Sequence, residues 1–448
     1  MTPIQRKPIM SIRSLAAIAL AVSSLAAAGA RADSLGDIFT QGHVDGELRA
    51  YDFNRLYDSP ATPDAQAFAA ALLLNARTAT FGGGFSLAGS LASANAFGTH
   101  GDNVKRIDSS LMGVDNSVTA LSQAYLQYQR GWVKVRGGYQ YLSTPWMGMA
   151  DSRVIPASYE ALSVDVTPTQ GWDIYAIRSY AWKSRTSDGY TADNLYYPST
   201  YRGDSMYGNN GSLPAGARQT GGARVLGTTY KRAGLAAQAW YYDFMRFARM
   251  GYADGRYTFK TGSGVDPFVA AQYVTEQGGP HNVLVQTGTA LLGVAGSRVK
   301  SRAWGADAGV AIPHGQLDLA YNKLSSQAGA VGYGSIISPY TNTYAADPLH
   351  TTSMLRGLVE QGPGNAWKAK ASYRLFGDSL QLTAAYARYD TVLRGRSHDL
   401  YFDVAYHFRG YLKGLSLRDR WERSSGGRNL NPGNRPYAYN RVMVAYKF

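Results

Sequence analysis

The stretch Trp132-Val-Lys-Val-Arg-Gly-Gly-Tyr-Gln-Tyr-Leu-Ser-Thr-Pro145 opens as an alternating strand and ends at a proline. Val133 and Val135 fall on one face of that strand, and Lys134 and Arg136 fall on the other. A soluble sheet would bury the valines in a core, whereas a membrane barrel would turn them towards lipid. Proline removes a ladder donor, so we expect the strand to end before it and a loop to follow.

The same period-two alternation recurs along the chain, and the connections between the alternating segments distinguish these two readings. Connections of two kinds separate the alternating segments: short glycine-containing turns, and long polar stretches such as 183–222 and 325–365. Short turns at one end and long loops at the other are typical of an outer-membrane barrel. At roughly 23 residues for each strand and its connection, the chain predicts about 18 strands. Clear alternation is found at 124–129, 316–322, 367–375, 400–408 and 441–448.

We therefore predict an all-β fold: one transmembrane antiparallel β-barrel domain spanning residues 33–448. The alternative is a secreted β-sandwich, β-helix or adhesin, which would alternate in the same way but would need no aromatic belts. The chain contains 33 Tyr, 8 Trp and 14 Phe, and its overall composition is nevertheless polar. Aromatic residues at the two membrane interfaces and polar residues towards a water-filled lumen would explain both properties.

The N-terminus predicts export. Basic residues precede a short apolar run, Leu15 to Leu25, and Ala30-Arg31-Ala32 fits a small-x-small cleavage site. We expect residues 1–32 to be a cleaved signal peptide. The formal net charge is +14, but an exported chain has little occasion to meet nucleic acid, so we expect no nucleic-acid partner. The charge instead favours anionic solutes or anionic membrane surfaces.

The sequence offers little for catalysis. It has no cysteine, which excludes disulfides and thiolate chemistry. We find no zincin helix, no G-x-S-x-G elbow, no Walker loop and no dinucleotide fingerprint. We therefore predict a protein that is not an enzyme, with no metal and no cofactor. A Ser/His pair assembled only in space would leave a barrel lipid hydrolase as the alternative, and a non-conducting adhesin barrel is a second one.

Basic residues on the alternating strands fall mostly on the polar face. Cations two residues apart rise about 6.6 Å along a strand, so they would form a ladder on the lumen wall that passes anions from site to site. The alternative is that they neutralise lumenal acids or bind lipopolysaccharide phosphates at the rim. Arg388 shares its phase with Leu380 and Leu382 and is expected to face outward. The predicted ladder comprises Lys134, Arg136, Lys368, Lys370, Arg374, Arg418 and Arg420.

Three stretches resemble the OprD-type porins, the outer-membrane carboxylate channels of Gram-negative bacteria. The segment 48–55, Leu-Arg-Ala-Tyr-Asp-Phe-Asn-Arg, looks like that family's first strand. Thr144-Pro145, followed by Asp151-Ser152-Arg153 and 156–160 (Pro-Ala-Ser-Tyr-Glu), is similar to its third loop. The segment 367–448, with basic alternating strands and a terminal Phe448, is similar to its C-terminal part.

The resemblance implies an 18-stranded barrel in the outer membrane that lets small carboxylates diffuse passively, including amino acids and aromatic or other organic acids. It implies a constriction loop at about 144–160, with Arg153 as an eyelet cation and Asp151 and Ser152 as polar neighbours. Phe448 would address the barrel-assembly machinery. The other partners implied are outer-membrane lipid and lipopolysaccharide, with the chain a monomer or weak homotrimer. One departure is the bulky segment 146–149, Trp-Met-Gly-Met, which would favour aromatic or hydrophobic acids.

Overall fold

The computed structural model describes residues 35–57, 62–149, 151–190, 192, 221–281, 285, 288, 294–337, 347–427 and 437–448. The predicted signal peptide, residues 1–32, lies outside this part of the chain. None of the helices in the described ranges is long and apolar enough to cross a membrane.

The described chain forms 18 strands and very little helix. Helix α1 spans Leu35–Thr40, helix α2 spans Leu358–Gln361, and single 3₁₀ turns cover Val104–Arg106, Val331–Tyr333 and Gly410–Leu412. The strands are β1 (His43–Tyr57), β2 (Ala65–Arg77), β3 (Phe85–Asn95), β4 (Ser117–Arg130), β5 (Val133–Gln140), β6 (Ser158–Thr169), β7 (Trp172–Lys183), β8 (Ala223–Arg232), β9 (Leu235–Phe244), β10 (Ala248–Thr258), β11 (Asp266–Gln277), β12 (Lys300–Ile312), β13 (Gly315–Leu324), β14 (Gly364–Leu375), β15 (Leu380–Thr391), β16 (Gly395–His407), β17 (Leu415–Gly426) and β18 (Tyr437–Lys447).

The sheet closes on itself. Every strand pairs antiparallel with its neighbours in sequence, and β1 pairs with β18, for example Asp52 with Val442. Closure leaves no free edge, so each strand's backbone groups find partners within the sheet, as a membrane-spanning structure requires. The prediction of a transmembrane barrel of about 18 strands is confirmed.

The alternation in the sequence becomes an apolar outer face and a polar or packed inner face. On β16, Leu400, Phe402 and Val404 are 38%, 43% and 43% exposed, while Tyr401 and Asp403 between them are buried. Large apolar side chains exposed in a row would be costly in water but are favourable against hydrocarbon. The wall is therefore that of an outer-membrane barrel.

The two ends of the barrel differ as the sequence predicts. At one end the connections are tight: β8 and β9 are joined by Ala233 and Gly234, both with positive φ. A Cβ at Gly234 would lie 2.5 Å from the carbonyl oxygen of Thr258, so this turn needs glycine. Long connections, such as the one between β13 and β14, gather at the other end, which faces the cell exterior in such barrels.

Two inward loops fill much of the lumen, which we call loop 141–157 and loop 347–361. The first half of loop 141–157 packs Trp146 and Met147 into an apolar cluster on the wall that includes β9 and β10. Its second half packs Val154 and Ile155 into a separate cluster that includes Phe53 of β1. Irregular backbone at this depth is tolerated because it is surrounded by protein and water rather than lipid.

Candidate functional site between the two inward loops

Loop 141–157 crosses the lumen from one wall to the other. At one side, the Trp146 backbone N–H donates to the hydroxyl of Tyr242 on β9 at 3.3 Å. At the other, Nη1 of Arg49 on β1 donates to Asp151 Oδ1 at 2.7 Å and to the Arg153 carbonyl at 2.9 Å. Strands β1 and β9 lie nearly opposite each other in the closed order of 18 strands. Because β6 begins at Ser158, the loop ends at residue 157 rather than near 160.

Arg153 is fully covered rather than projecting into open water. Its Nε donates to the Ser110 carbonyl at 2.8 Å, and its Nη1 donates to Ser152 Oγ at 2.9 Å. Its Nη2 is buried and has no hydrogen-bond partner among the described residues. Burial, followed by the charge of Arg441, lowers the pKa of Arg153 well below its ordinary value. A negative charge beside Arg153 would therefore stabilise the protonated form of its guanidinium.

Arg441 of β18 is the second buried cation of the site. It is 2% exposed, and its Nε and Nη2 have no partner among the described residues. Its guanidinium carbon lies 4.3 Å from the ring centroid of Tyr439 and 5.0 Å from that of Phe53. These aromatic contacts stabilise the charge but do not supply a hydrogen-bond acceptor for those N–H groups.

A cavity of about 360 Å³ opens beside these two arginines, between loop 347–361 and the wall. Arg420 of β17 is its third cation and is more accessible, with its side chain 14% exposed. Planar guanidiniums bind carboxylates through paired hydrogen bonds, so three of them around one cavity favour a small organic anion. The lining also includes Ser152, Asp347, Pro348, Leu349, Thr352, Ser353 and Met354.

Loop 347–361 is fastened to the wall by buried acids. Glu422 of β17 accepts hydrogen bonds from Ser353 Oγ at 2.6 Å, from the Met354 N–H at 2.8 Å and from the Leu355 N–H at 3.3 Å. Arg356 of the loop makes a charged contact of 2.8 Å with Asp399 of β16. These contacts fix the loop's distance from the wall and hence the size of the cavity.

Three carboxyl groups around the site have shifted pKa values: those of Asp347 and Glu360 in loop 347–361 are raised, and that of Asp108 is lowered. Burial raises the pKa of Asp347 to about 6 and is also the main reason that the pKa of Glu360 lies well above its ordinary value. Burial would also raise the pKa of Asp108, but the charge of Arg55 and the hydroxyl of Tyr439 lower it overall. Asp347 lines the cavity, so the charge facing the three arginines changes with pH.

The predicted ladder residues lie on the inner phase of their strands, but most of them contact acids. Arg418 and Arg420 both contact Asp403, at 2.5 and 3.5 Å, and Lys368 Nζ donates to the Thr352 carbonyl at 2.7 Å. The other pairs are Lys134 and Arg136 with Asp165, Lys370 with Asp318, and Arg374 with Asp378. Six of the seven predicted ladder cations thus contact four acids, so the wall carries paired charges with an excess of positive charge.

The structure corrects one expectation from the sequence. Trp146 and Met147 have no exposed surface, and Trp146 packs edge-on against Tyr252 of β10 at 6.1 Å between centroids. They belong to the apolar cluster that anchors the loop and do not line the opening. Their bulk therefore gives no support to a preference for hydrophobic acids. Bulky apolar side chains pack into the wall because exposing them to a water-filled lumen would be unfavourable.

Sequence reasoning also missed three residues of this site: Arg49, Arg441 and Glu422. For two of them the sequence indicates a lumen-facing position, because Arg441 alternates with the apolar Val442 and Glu422 alternates with the apolar Trp421. No signal in the sequence shows that Arg49 reaches the loop, since its partner Asp151 is 102 positions away. Among the described residues, no group of three His, Asp or Glu side chains could hold a metal ion.

The closed barrel, its apolar exterior and its loop-lined lumen define the chain as an outer-membrane β-barrel. Solved structures similar to it include porins of the OprD type. Pseudomonas aeruginosa OccK9 (OpdG) is 16% identical, with 92% of this chain and 99% of that one covered and a TM-score of 0.73. Acinetobacter baumannii OccAB2 is 14% identical over 92% and 99%, with a TM-score of 0.69. The chain thus has the fold of OprD-type outer-membrane porins, as the resemblance in its sequence predicts.

A third similar structure is that of P. aeruginosa OpdK with vanillate, at 14% identity over 92% and 99% of the two chains and a TM-score of 0.66. No family model matches this chain, and no curated protein does. At identities this low, the similarity concerns the fold, and the solute has to be argued from the site itself.

Proposed function

We propose that this protein is a substrate-selective porin for small solutes that carry a carboxylate. The observation that carries the proposal is the pair of buried arginines, Arg153 and Arg441: both line one cavity between an inward loop and the wall, and each has N–H groups without an acceptor among the described residues. Leaving such groups unsatisfied costs free energy, and a carboxylate passing the site would supply the missing acceptors. Transport is passive and needs no cofactor.

The size of the site limits the solute. A cavity of about 360 Å³ lies at the small end of ligand sites, which favours an organic acid or amino acid over a peptide or sugar chain. Vanillate, named for the OpdK structure, is itself an aromatic carboxylate. That likeness supports the solute class at the level of chemistry and does not select one acid.

Liposome swelling with paired solutes tests the proposal. Gluconate and sorbitol are both six-carbon polyols that cross lipid bilayers very slowly and differ chiefly in the charged group, so their relative entry rates measure selection for the carboxylate. We expect gluconate to enter faster through the wild-type protein, and this preference to fall in Arg153→Gln. Arg249→Gln is a matched control, because Arg249 lies on the outer phase of β10 with its side chain 73% exposed.

Equal entry of the two solutes would contradict carboxylate selection. The alternative functions have different outcomes. A folded protein that gives no swelling with any solute would favour an adhesin barrel. Turnover of phospholipid in the same liposomes would favour a barrel hydrolase.

A further inference from the structure

An open groove of about 650 Å³ lies on the lipid-facing side of the barrel, between β12 and β16. It forms where small outward residues on central strands are flanked by larger ones. In one row across the sheet, Ala308 pairs with Leu319, Leu319 with Ala369, Ala369 with Tyr386 and Tyr386 with Leu400. We call this feature the outer groove. Its apolar walls and position in the bilayer suit an acyl chain.

Three cations lie at the loop-side end of the outer groove. Arg302, Lys323 and Arg388 are all exposed and on the outer phase of β12, β13 and β15. Each lies two residues from an outward aromatic residue of its own strand, on the side nearer the long loops. The three cations therefore share one level of the wall. The three aromatic residues are Trp304, Tyr321 and Tyr386.

The aromatic residues mark that level as the membrane interface. Trp304 contacts Tyr321 with ring centroids 5.4 Å apart, and Trp367 contacts Tyr386 at the same separation. Tyr and Trp collect where the hydrocarbon meets the headgroups. Cations just beyond such a belt lie at the height of lipid phosphates, with the outer groove directly below them.

The charges around Arg302, Lys323 and Arg388 favour the binding of an anion. Within the described residues, no carboxylate lies within ion-pair distance of Arg302, Lys323 or Arg388. Asp390 is the outward carboxylate of the described part of β12 to β16, and it pairs with Arg396 at 3.1 Å. Elsewhere the outer wall carries acids, for example Asp419 on β17, which accepts a hydrogen bond from Asn440 at 2.6 Å.

We infer that the outer groove and the cations Arg302, Lys323 and Arg388 form a binding site for a phosphorylated glycolipid of the outer leaflet. Its phosphates contact the three cations, and one acyl chain lies in the groove over Ala369 and Ala384. The site depends on the barrel's place in the outer membrane and is independent of carboxylate transport, because the three cations and the side chains that shape the groove, such as Ala369 and Ala384, lie on the outer phase of their strands.

Native mass spectrometry of the detergent-solubilised protein with bis-phosphorylated lipid A tests this inference. We expect the wild-type protein to retain lipid A in preference to its dephosphorylated form and to phosphatidylglycerol. Removing one cation should weaken binding roughly fivefold, so the triple change R302Q/K323Q/R388Q should lower it about a hundredfold. Ala384→Phe should reduce binding by filling the groove while all the charges remain.

Arg249→Gln is the matched control, since this exposed rim arginine lies on β10, away from the outer groove and near Asp243 at 3.9 Å. It should leave lipid A retention unchanged. Heat-modifiable gel mobility and channel conductance report whether each variant is folded. Undiminished retention by the folded triple variant, or equal retention of phosphatidylglycerol, would overturn the inference, whatever the channel conducts.

Discussion

Arg153 and Arg441 place their guanidinium carbons 5.3 and 5.0 Å from the centroid of one ring, that of Phe53. One arginine comes from the loop that crosses the lumen and the other from the wall, so the ring joins loop and wall. Two buried like charges are costly, and the nearby acid Asp108 is already engaged by Arg55 at 3.5 Å. The proposed carboxylate site follows from this excess of buried positive charge.

The first prediction concerns the contact between the loop and β1. Arg49→Gln removes a side chain that is 4% exposed and bonded to Asp151 and to the Arg153 carbonyl. Arg49 is buried but Asp151 is 39% exposed, so we expect a loss of about 1.5–3 kcal/mol, as for a hydrogen bond to a charged group. We expect loop 141–157 to detach, single-channel conductance to rise and current noise to increase. Arg77→Gln on the neighbouring strand should leave the current trace unchanged, and a wild-type trace for Arg49→Gln would refute the anchoring role.

The second prediction concerns Glu422 and loop 347–361. Glu422→Ala leaves the Met354 and Leu355 N–H groups without their acceptor, at a cost of about 1–3 kcal/mol for each group. We expect the loop to become sensitive to limited proteolysis while the barrel stays resistant. Asp419→Ala changes an acid on the outer face of the same strand and should not sensitise the loop. Equal protection of the loop in both variants would contradict this account.

The third prediction is a pH dependence. Because the pKa of Asp347 is raised to about 6, this carboxyl is neutral at about pH 5 and charged at about pH 7.5. The ionised form opposes an anion in the cavity, although Glu360 and Lys368 also act on Asp347. We expect block of the current by benzoate to be several-fold tighter at the lower pH. Asp347→Asn should flatten the dependence, and a titration unchanged in that variant would exclude Asp347 as its origin.

The free energy of unfolding should also depend on the ionisation of Asp347. A carboxyl whose pKa is raised on folding disfavours the folded state once it ionises, so its effect appears as pH rises from about 4 to 6. The lowered pKa of Asp108 acts oppositely: its contribution is present above the unfolded pKa near 3.9 and is lost as pH falls through the folded value. Thermal melts of Asp347→Asn and Asp108→Asn against pH should separate the two, and a wild-type pH profile in either variant would contradict its assignment.

The barrel could be predicted from the sequence because the alternation of side chains along a strand depends only on neighbouring residues. The phase of Lys368 and Lys370 follows from their immediate neighbours, and so does the outward direction of Arg388, which is exposed in the structure. Strand number follows from chain length and connection length. The phase of a side chain is set within about ten residues and the strand number by the chain length, so one sequence suffices to predict both.

The site was harder to predict because it depends on contacts between segments that are distant in sequence. The resemblance directs attention to Arg153, but the sequence does not indicate that Arg153 is buried against Ser110 and Phe53. Likewise, Lys134 and Arg136 share one acid, Asp165 on the next strand, and this contact can be seen only once the register of β5 and β6 is known. Trp146 illustrates the same limit, since loop composition alone does not tell a lining residue from an anchor.

The most direct test of the central claim is single-channel recording in planar bilayers with Arg441→Gln. Wild-type current should be blocked by millimolar benzoate and far less by benzyl alcohol. Losing one bidentate charged contact should weaken the block by about tenfold or more, at roughly 1.5–3 kcal/mol for a hydrogen bond to a charged group. A folded Arg441→Gln channel that benzoate blocks as strongly as the wild type would contradict the carboxylate site.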